Sequence, residues 1–224
     1  MTARSGDRLG AAVSRAVAAL PAAAREASEV ARPALESYLA LLLEANAAVN
    51  LVSARSADPD ALSTAHLFDA LFGLSFLPAQ GAKPRLLRLL DLGSGGGFPA
   101  IPLLVVRRDI EGTLVESVRK KCDFLVRTAE RLALTLHVTN ARFPDSFPMQ
   151  STGPFDVLTT RAVGSAGELV RAARLLLFPD ARALVWTTAP LVKDAIRESR
   201  ARSAAFHPVP GTERRGILVL GRFT

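Results

Sequence analysis

The sequence predicts an α/β fold in which a mostly parallel, seven-stranded sheet carries helices on both faces and follows a helical region. Three observations support this prediction. An apolar run at 86–92 ends in four glycines within five residues, and an apolar helix begins near Pro99. Strand and helix patterns then alternate to the end of the chain, as in parallel sheets. Only 210–215 separate the last two strands, so a hairpin closes the sheet with an antiparallel strand.

The first 31 residues are rich in Ala and Arg and are interrupted by Pro21, which predicts two short helices or a partly frayed arm. Pro33 is predicted to open a stronger helix over 34–48, because Pro is favoured at the first helical position and apolar residues recur there at helical spacing.

A further helix is predicted over 61–76, with the N-terminal cap in the segment Asp58-Pro-Asp60. This helix carries His66 and Asp69 three residues apart, and that spacing places both side chains on one helix face.

The chain is therefore predicted to have an N-terminal helical region at 1–80 and a Rossmann-like domain at 81–224. Strands are predicted near 86–91, 112–116, 135–139, 155–160, 181–187, 204–209 and 216–221. Helices are predicted between them near 100–107, 118–132, 165–177 and 190–202. This order, closed by a hairpin, is typical of class I methyltransferases.

Composition indicates a globular protein with an anionic partner. The 224 residues are 49% hydrophobic and 22% charged, and the formal net charge of +7 favours nucleic acid as the partner. A disulfide within the chain is excluded because Cys122 is the only cysteine, and Cys/His metal spacing is absent, so we expect no metal. We expect a cytoplasmic protein without a membrane span, since no long apolar run or clear signal peptide occurs, and a transit peptide is the minor alternative.

The glycine-rich stretch limits the classes of ligand that could bind there. A dinucleotide fingerprint would need glycine at position 98, where Phe98 stands, and a Walker A loop would need Gly-Lys-Ser/Thr there. The pattern that remains is Asp91-x-Gly93-x-Gly95-x-Gly97. Its glycines admit a bulky uncharged group, and Asp91 at the strand end could hold an ammonium group.

A second acid supports the same ligand. Glu116 ends the next predicted strand, 19 residues after Gly97, where a Rossmann-type fold places the carboxylate that binds ribose hydroxyls. Glycines, two acids and no phosphate-binding lysine suggest S-adenosylmethionine, which has a ribose and a cationic tail but no phosphate. The alternative is a glycine-rich turn that occurs in any α/β domain.

From about residue 35 onward the chain resembles the bacterial 16S rRNA guanine-N7 methyltransferase G family, also called glucose-inhibited division protein B. The segments that carry the resemblance are Asn46-Ala-Ala-Val-Asn50-Leu-Val-Ser53, His66-Leu-Phe-Asp69, Asp91-Leu-Gly-Ser-Gly-Gly-Gly-Phe-Pro-Ala-Ile-Pro102, Glu116-Ser-Val-Arg-Lys120 with Phe124-Leu125, and Thr160-Arg161-Ala162.

The resemblance implies an enzyme that methylates N7 of guanine 527 in 16S rRNA. It implies cofactor contacts from Gly93, Phe98, Glu116, Phe143, Pro144 and Arg161, to which the glycine-turn pattern itself adds Asp91, Ser94, Gly95 and Gly97. It implies catalytic roles at the pocket mouth for Arg161, Asn50, His66 and Asp69. It implies RNA contacts from Lys120, Arg119 and Arg161. The expected partner is 16S rRNA or the small ribosomal subunit, and the expected state is a monomer.

The sequence departs from the family pattern at two positions. Ala65 stands where the family usually has Arg, and Trp186-Thr187 stands where it usually has Lys. Both changes remove positive charge from the expected RNA face. They raise the alternative of an impaired, RNA-binding relative, beside that of a methyltransferase that acts on a small molecule or protein.

The implied chemistry needs no general base. Guanine N7 carries a lone pair that can attack a sulfonium methyl in line, so catalysis depends on positioning and on exclusion of water. We expect Arg161 to orient the base through O6 or a phosphate. Simpler interpretations remain open: His66 and Asp69 could hydrogen-bond across two helices, and Asn50 could only brace a turn. Arg119 could lie on a solvated helix face, whereas the motif match favours an RNA contact for Lys120.

Overall fold

The computed structural model describes residues 3–149, 152–161 and 165–223, with only the backbone for residues 3–5. Ala162, quoted above in the Thr160 segment, lies outside the described residues. Within the described part, seven strands form one sheet in the order β3-β2-β1-β4-β5-β7-β6. The strands are β1 Leu87–Leu92, β2 Ile110–Glu116, β3 Leu136–Asn140, β4 Phe155–Arg161, β5 Leu177–Thr188, β6 Ser203–Pro208 and β7 Arg215–Gly221.

The predicted sheet is confirmed. Strands β1 to β5 pair in parallel, and β7 pairs antiparallel with both β5 and β6. The strand order reverses between β1 and β4, and ligands of open α/β sheets bind in the crevice outside the carboxyl ends of the strands at such a point. The fold therefore places the candidate site beyond Leu92, Glu116 and Arg161.

The helices described are α1 Ala3–Ala18, α2 Ala22–Val49, α3 Pro59–Leu62, α4 Phe68–Phe72, α5 Ala100–Val106, α6 Arg119–Leu132, α7 Ala166–Ala173 and α8 Val192–Ser199. Side chains of successive strand residues enter different cores, because a strand alternates its faces. Leu89 joins the core formed with α1, α2 and α5, whereas Leu90 joins the core formed with α7 and α8.

Two N-terminal predictions were wrong in detail. Pro33 does not open a helix but lies inside α2, which begins after Pro21. A Pro inside a helix removes one hydrogen bond, and here the helix continues because the residues around it bury a continuous apolar stripe that includes Leu35 and Leu39.

The helix predicted over 61–76 is interrupted. Asp58 caps α3 as predicted, accepting hydrogen bonds from the backbone of Asp60 and Ala61. A π-helical turn, Ser63–Leu67, then joins α3 to α4, so the simple three-residue spacing of His66 and Asp69 does not describe their placement. Single π-helical turns are frequent at functional sites.

The N-terminal helices share a hydrophobic core with the sheet. Leu35, Leu39 and Leu42 of α2 are fully buried in the same cluster as Leu89 and Ile101. This packing brings the N-terminal region against the carboxyl ends of the parallel strands, where the glycines lie. We call this side of the sheet the carboxyl edge, and the side formed by the amino ends of the same strands the amino edge.

Candidate active site

The glycine turn after β1 has the conformation that its residue type allows. Gly93, Gly95 and Gly97 have φ values of 77°, 54° and 101°, in the left-handed region that favours glycine. A Cβ at Gly97 would lie 2.5 Å from Ile101 Cγ1, whereas a Cβ at Gly95 would have Gly93 O as its nearest neighbour, at 3.9 Å. The turn is thus packed against the protein at Gly97 and open at Gly95.

Glu116 at the end of β2 reaches this turn. Its carboxylate accepts a hydrogen bond from the Gly95 N–H at 2.9 Å and one from the Val118 N–H at 2.8 Å. The side chain therefore joins the carboxyl ends of β1 and β2 and lies beside the open face of the turn.

Asp91 lies beneath the same turn and is 1% exposed. One carboxylate oxygen accepts a hydrogen bond from Thr159 Oγ1 at 2.6 Å, and the other, Oδ2, is buried without a hydrogen-bond partner among the described residues. Burial raises the pKa of Asp91 to about 6, although the nearby Ser94 hydroxyl and the hydrogen bond from Thr159 oppose the rise.

The N-terminal helices support the turn from the other side. The fully buried Tyr38 of α2 donates a hydrogen bond to Gly96 O at 2.7 Å. Its ring meets the ring of Phe98 edge to face, with centroids 5.3 Å apart, and the His66 ring lies 5.3 Å from Phe98 on centroids. Phe98 is therefore a packing residue of the turn, in contact with both N-terminal helical segments.

A cluster of charged side chains lies at the carboxyl ends of β4 and β5. Arg161 donates a hydrogen bond from Nη2 to Ala65 O at 2.8 Å, and the same atom is 3.9 Å from Asp69 Oδ2. Arg215, at the start of β7, places Nη1 3.4 Å from Asp69 Oδ2. Asp69 is 3% exposed. This cluster lines a cavity of about 340 Å³ together with Trp186.

Burial sets the protonation of this cluster. It raises the pKa of Asp69 to about 6, although Arg215 and Arg161 oppose the rise. Burial, with Arg161 and Arg215, lowers the pKa of His66 to about 4, so the imidazole is neutral near pH 7.

Comparisons with known proteins identify the family. A family model described as rRNA small subunit methyltransferase G matches residues 31–205. The chain belongs to that family. The ribosomal RNA small subunit methyltransferase G of Leptothrix cholodnii is 37% identical over 153 residues, covering 68% of this chain and 67% of its own. That of Mesomycoplasma hyopneumoniae is 32% identical over 149 residues, covering 65% and 69%.

Solved structures show the same fold as this methyltransferase G family member. A precorrin-6y C5,15-methyltransferase from Geobacter metallireducens has a TM-score of 0.54 at 13% identity, over 68% of this chain and 87% of its own. A T. thermophilus 16S rRNA N2 G1207 methyltransferase, in complex with AdoMet and guanosine, has a TM-score of 0.53 at 20% identity, over 76% and 43%. The predicted class I methyltransferase fold is thus confirmed.

The cofactor of this methyltransferase G family member is S-adenosylmethionine, and the residues present fit that group. The turn is open at Gly95, where a side chain would otherwise stand. Glu116 offers carboxylate oxygens beside it, and Asp91 keeps one oxygen without a partner. When bound, S-adenosylmethionine supplies an electrophilic methyl group.

Trp186 and Ala65, the residues at the two positions noted above, both contact the charged cluster, Ala65 only through its backbone. Trp186 donates a hydrogen bond from Nε1 to Asp69 O at 2.7 Å, and its ring occupies the space that a Cβ on Gly73 would need. Ala65 contributes its carbonyl oxygen to Arg161. Both residues therefore help to hold Asp69 and Arg161 at the cavity, and Arg161 and Arg215 supply positive charge there.

The remaining candidate residues lie at the same edge but outside these clusters. Half-buried Phe143 and exposed Pro144 follow β3, whose last residue Asn140 donates a hydrogen bond to Glu116 O. Arg119 and Lys120 are exposed at the start of α6, and Arg119 pairs with Asp123.

Asn50 ends α2 in a left-handed conformation, with φ of 52°, which Asn tolerates better than most residues. The next residue, Leu51, lies against the glycine turn, because a Cβ on Gly96 would be 3.2 Å from Leu51 O. The structure thus gives Asn50 a role in terminating the helix and places it one residue from the turn.

Three residues of the site were missed from the sequence. Tyr38 has the spacing of a core residue, Thr159 lies within a buried strand, and Arg215 ends a predicted turn. Only Arg215 has a feature that could have suggested a functional role, namely a positive charge at the start of a strand. Such charges are common on protein surfaces, so the feature does not identify a site.

Among the helices described above, none combines the length and the apolar composition that a membrane-spanning helix needs. A search of the same residues for three or more His, Cys, Asp or Glu side chains that could hold a metal ion found no group.

Proposed function

We propose that this protein transfers a methyl group from S-adenosylmethionine to N7 of a guanine in 16S rRNA, at the position that the family methylates, guanine 527. One observation carries the proposal. The open glycine turn follows β1 and Arg161 of the charged cavity ends the adjacent strand β4, so a donor held at the turn can face a base in the cavity.

The chain's own residues would act by binding and orientation. N7 attacks through its lone pair, so no side chain has to remove a proton. Arg161 would orient the base, Asp69 would lie near the positive charge that the purine gains, and neutral His66 would add no repulsion to it. The catalytic assignment of Asn50 rests on its place beside the turn.

The basic start of α6 would contact the RNA backbone. Arg119 and Lys120 are exposed immediately after Glu116, where they could neutralise phosphates next to the site. Phe143 and Pro144 would flank the adenine of the cofactor from β3. Because the major groove of A-form RNA is too narrow for side chains to reach N7, the target guanine must be unstacked or displayed by a folded loop.

Incubation with labelled S-adenosylmethionine tests the proposal. Small ribosomal subunits, naked 16S rRNA and a set of metabolites would be offered in parallel, and the label would be mapped by chemical cleavage at N7-methylguanine. We expect label at one guanine of the rRNA. Label only in a metabolite, or cofactor binding without transfer to any rRNA form, would contradict the proposal.

We further propose that the protein acts as a monomer in the cytoplasm, where ribosomal subunits are assembled. Analytical ultracentrifugation at the concentration of the transfer assay checks the first point, since a dimer would sediment measurably faster. Fluorescence microscopy of the tagged chain checks the second.

A further inference from the structure

Asp69 and Arg161, which both line the charged cavity, each have one buried polar atom without a hydrogen-bond partner among the described residues. These atoms are Asp69 Oδ1, which can only accept while the carboxylate is ionised, and Arg161 Nη1, which can only donate. Buried polar atoms are nearly always satisfied, and leaving a charged group unsatisfied is costly. Because both side chains line one cavity, a ligand that enters it can supply both partners.

The second atom of each group is already held by the protein. Arg161 Nη2 donates to Ala65 O, and Asp69 Oδ2 lies 3.4 Å from Arg215 Nη1. Trp186 fixes the backbone of Asp69 through its Nε1–H. The free acceptor and the free donor are therefore oriented before any ligand arrives.

One donor beside one acceptor distinguishes the purines. Along its Watson–Crick edge guanine presents O6, an acceptor, next to N1–H, a donor. Adenine presents the reverse order, a donor at N6 next to an acceptor at N1. An acceptor from Asp69 and a donor from Arg161 match guanine and leave adenine with two like groups facing each other.

We infer that Asp69 and Arg161 select guanine as the acceptor base, with Arg161 donating to O6 and Asp69 accepting from N1–H. The inference rests on the proposed function and adds a specificity role to it. The same contact favours the reaction, because methylation at N7 makes the purine cationic and its N1–H a stronger donor. The hydrogen bond to Asp69 is thus stronger in the transition state than in the ground state, as catalysis requires.

The test compares acceptor bases in small subunits rebuilt from 16S rRNA that is ligated around a synthetic segment. The target position would carry guanine, hypoxanthine or 2-aminopurine, all of which keep N7. Hypoxanthine retains O6 and N1–H, so we expect its kcat/KM to lie within about threefold of the guanine value. 2-Aminopurine lacks both groups, so we expect a fall of at least about tenfold, the usual cost of a lost bidentate contact.

The Asp69→Asn variant separates recognition from the intrinsic reactivity of each base. Arg215 would keep the amide oxygen in place of Oδ2, which would turn the amide N–H₂ toward the base. That donor opposes N1–H of guanine and matches the N1 acceptor of 2-aminopurine. We expect the ratio of kcat/KM for guanine over 2-aminopurine to fall at least about tenfold. The control is Asp194→Asn, an exposed aspartate on α8 paired with Arg197, which should leave the ratio unchanged.

Each outcome decides one point. If the wild-type enzyme methylates no guanine-containing subunit, the proposed function itself fails. If it methylates guanine and 2-aminopurine equally well, or if Asp69→Asn slows both bases by the same factor, the recognition role is wrong while the proposed function stands. Should the variant not fold, the wild-type ratio of kcat/KM for guanine over 2-aminopurine is compared with the ratio of their uncatalysed methylation rates at N7 by a small electrophile, and equal ratios would overturn the inference.

Discussion

The amino and carboxyl edges of the sheet differ in whether their buried charged groups have hydrogen-bond partners. At the amino edge, Asp156 is 2% exposed and accepts hydrogen bonds from Lys83 Nζ at 2.7 Å, Arg85 Nη1 at 2.8 Å and the Arg88 N–H at 2.8 Å. At the carboxyl edge, Asp69 Oδ1, Asp91 Oδ2 and Arg161 Nη1 are buried and have no hydrogen-bond partner within the part of the chain that the structure describes.

The difference separates a structural edge from a binding edge. A satisfied buried carboxylate stabilises the fold by its own contacts, whereas an unsatisfied one costs stability that only a ligand can return. Changes at the amino edge should therefore affect folding, and changes at the carboxyl edge should affect binding and turnover. The predictions below test this division.

The largest effect is expected at Gly95. Its added side chain would enter the open space of the turn beside Glu116, and Asp tolerates the left-handed conformation. Gly95→Asp should weaken S-adenosylmethionine binding at least about a hundredfold, because a second carboxylate would occupy the site, and it should change the melting temperature little. Calorimetric titration and thermal melting measure the two quantities.

Gly97→Ala is the matched control for Gly95→Asp. Its Cβ would collide with Ile101 and approach Tyr38 Oη to 3.0 Å, so it should lower the melting temperature clearly. If Gly95→Asp bound the cofactor normally, the glycine turn could not be the cofactor site.

Arg161→Ala should reduce turnover more than it weakens RNA binding. The side chain is part of a buried cluster and not of an extended basic surface, so its loss removes orientation of the base and little phosphate contact. We expect kcat to fall about a hundredfold and the Kd for small subunits to change less than about threefold. Lys120→Ala should show the reverse, a weaker Kd at nearly normal kcat, and equal effects from both variants would remove the distinction.

Features formed by neighbouring segments of the chain could be predicted from the sequence, whereas the cluster formed by distant segments could not. The glycine turn and Glu116 were predictable because adjacent strands and short turns fix their geometry. All seven strands were also predicted, because the residue periodicity of a strand differs clearly from that of a helix. The cluster of Asp69, Arg161 and Arg215 was not, because it joins three segments that are distant in sequence, one beside a π-helical turn and one in the final hairpin.

The resemblance to a known family named Asp69 and Arg161 but could not show what they lack. That each keeps one atom unpaired depends on Ala65 O and Arg215, which hold the other atom. Pro33 likewise shows where local rules fail, because the long buried stripe of α2 overrides the helix-breaking preference of one residue.

At the amino edge, Asp156→Asn should destabilise the protein by about 2 to 3 kcal/mol, because hydrogen bonds to charged groups are individually worth about 1.5–3 kcal/mol. Denaturant unfolding measures the loss, and the Kd for S-adenosylmethionine should stay unchanged at a temperature where both proteins are folded. Asp180→Asn, whose partly exposed partner is Lys83, is the milder control. A weaker Kd without loss of stability would reverse the roles assigned to the two edges.

The two edges should also respond to acid in opposite directions. Burial tends to raise the pKa of Asp156, but hydrogen bonds from Arg85 and Lys83 outweigh it and lower the pKa to about 2. Its stabilising contribution is therefore present above about pH 4 and is lost as the pH falls toward 2. The raised pKa of Asp69, about 6, means that the folded protein binds this proton more tightly, so its contribution to stability grows as the pH falls from 6 to 4.

The pH dependence of activity should follow the ionisation of Asp69 at the carboxyl edge. Protonation of Asp69 removes the acceptor proposed for N1–H, so kcat/KM at pH 5 should be about tenfold below its value at pH 7, because roughly a tenth of the carboxylate remains ionised one unit below its pKa. His66, with a pKa near 4, stays neutral over this range. The acid limb should vanish in Asp69→Asn, and an unchanged limb there would assign it to another group such as Asp91.

The smallest effect is expected at Tyr38, a residue of α2 that contacts the glycine turn at the carboxyl edge. Its hydroxyl is a satisfied buried group, yet it holds Gly96 O of the binding turn. Tyr38→Phe keeps the ring contact with Phe98 and removes one hydrogen bond, so we expect a loss of about 1 kcal/mol in stability and a two- to fivefold weaker Kd for S-adenosylmethionine. Ser37→Ala, at an exposed hydroxyl bonded within its own helix, should change neither. If stability fell while the Kd stayed fixed, the N-terminal helices would only cover the turn; if both changed together, they would hold it in its binding conformation.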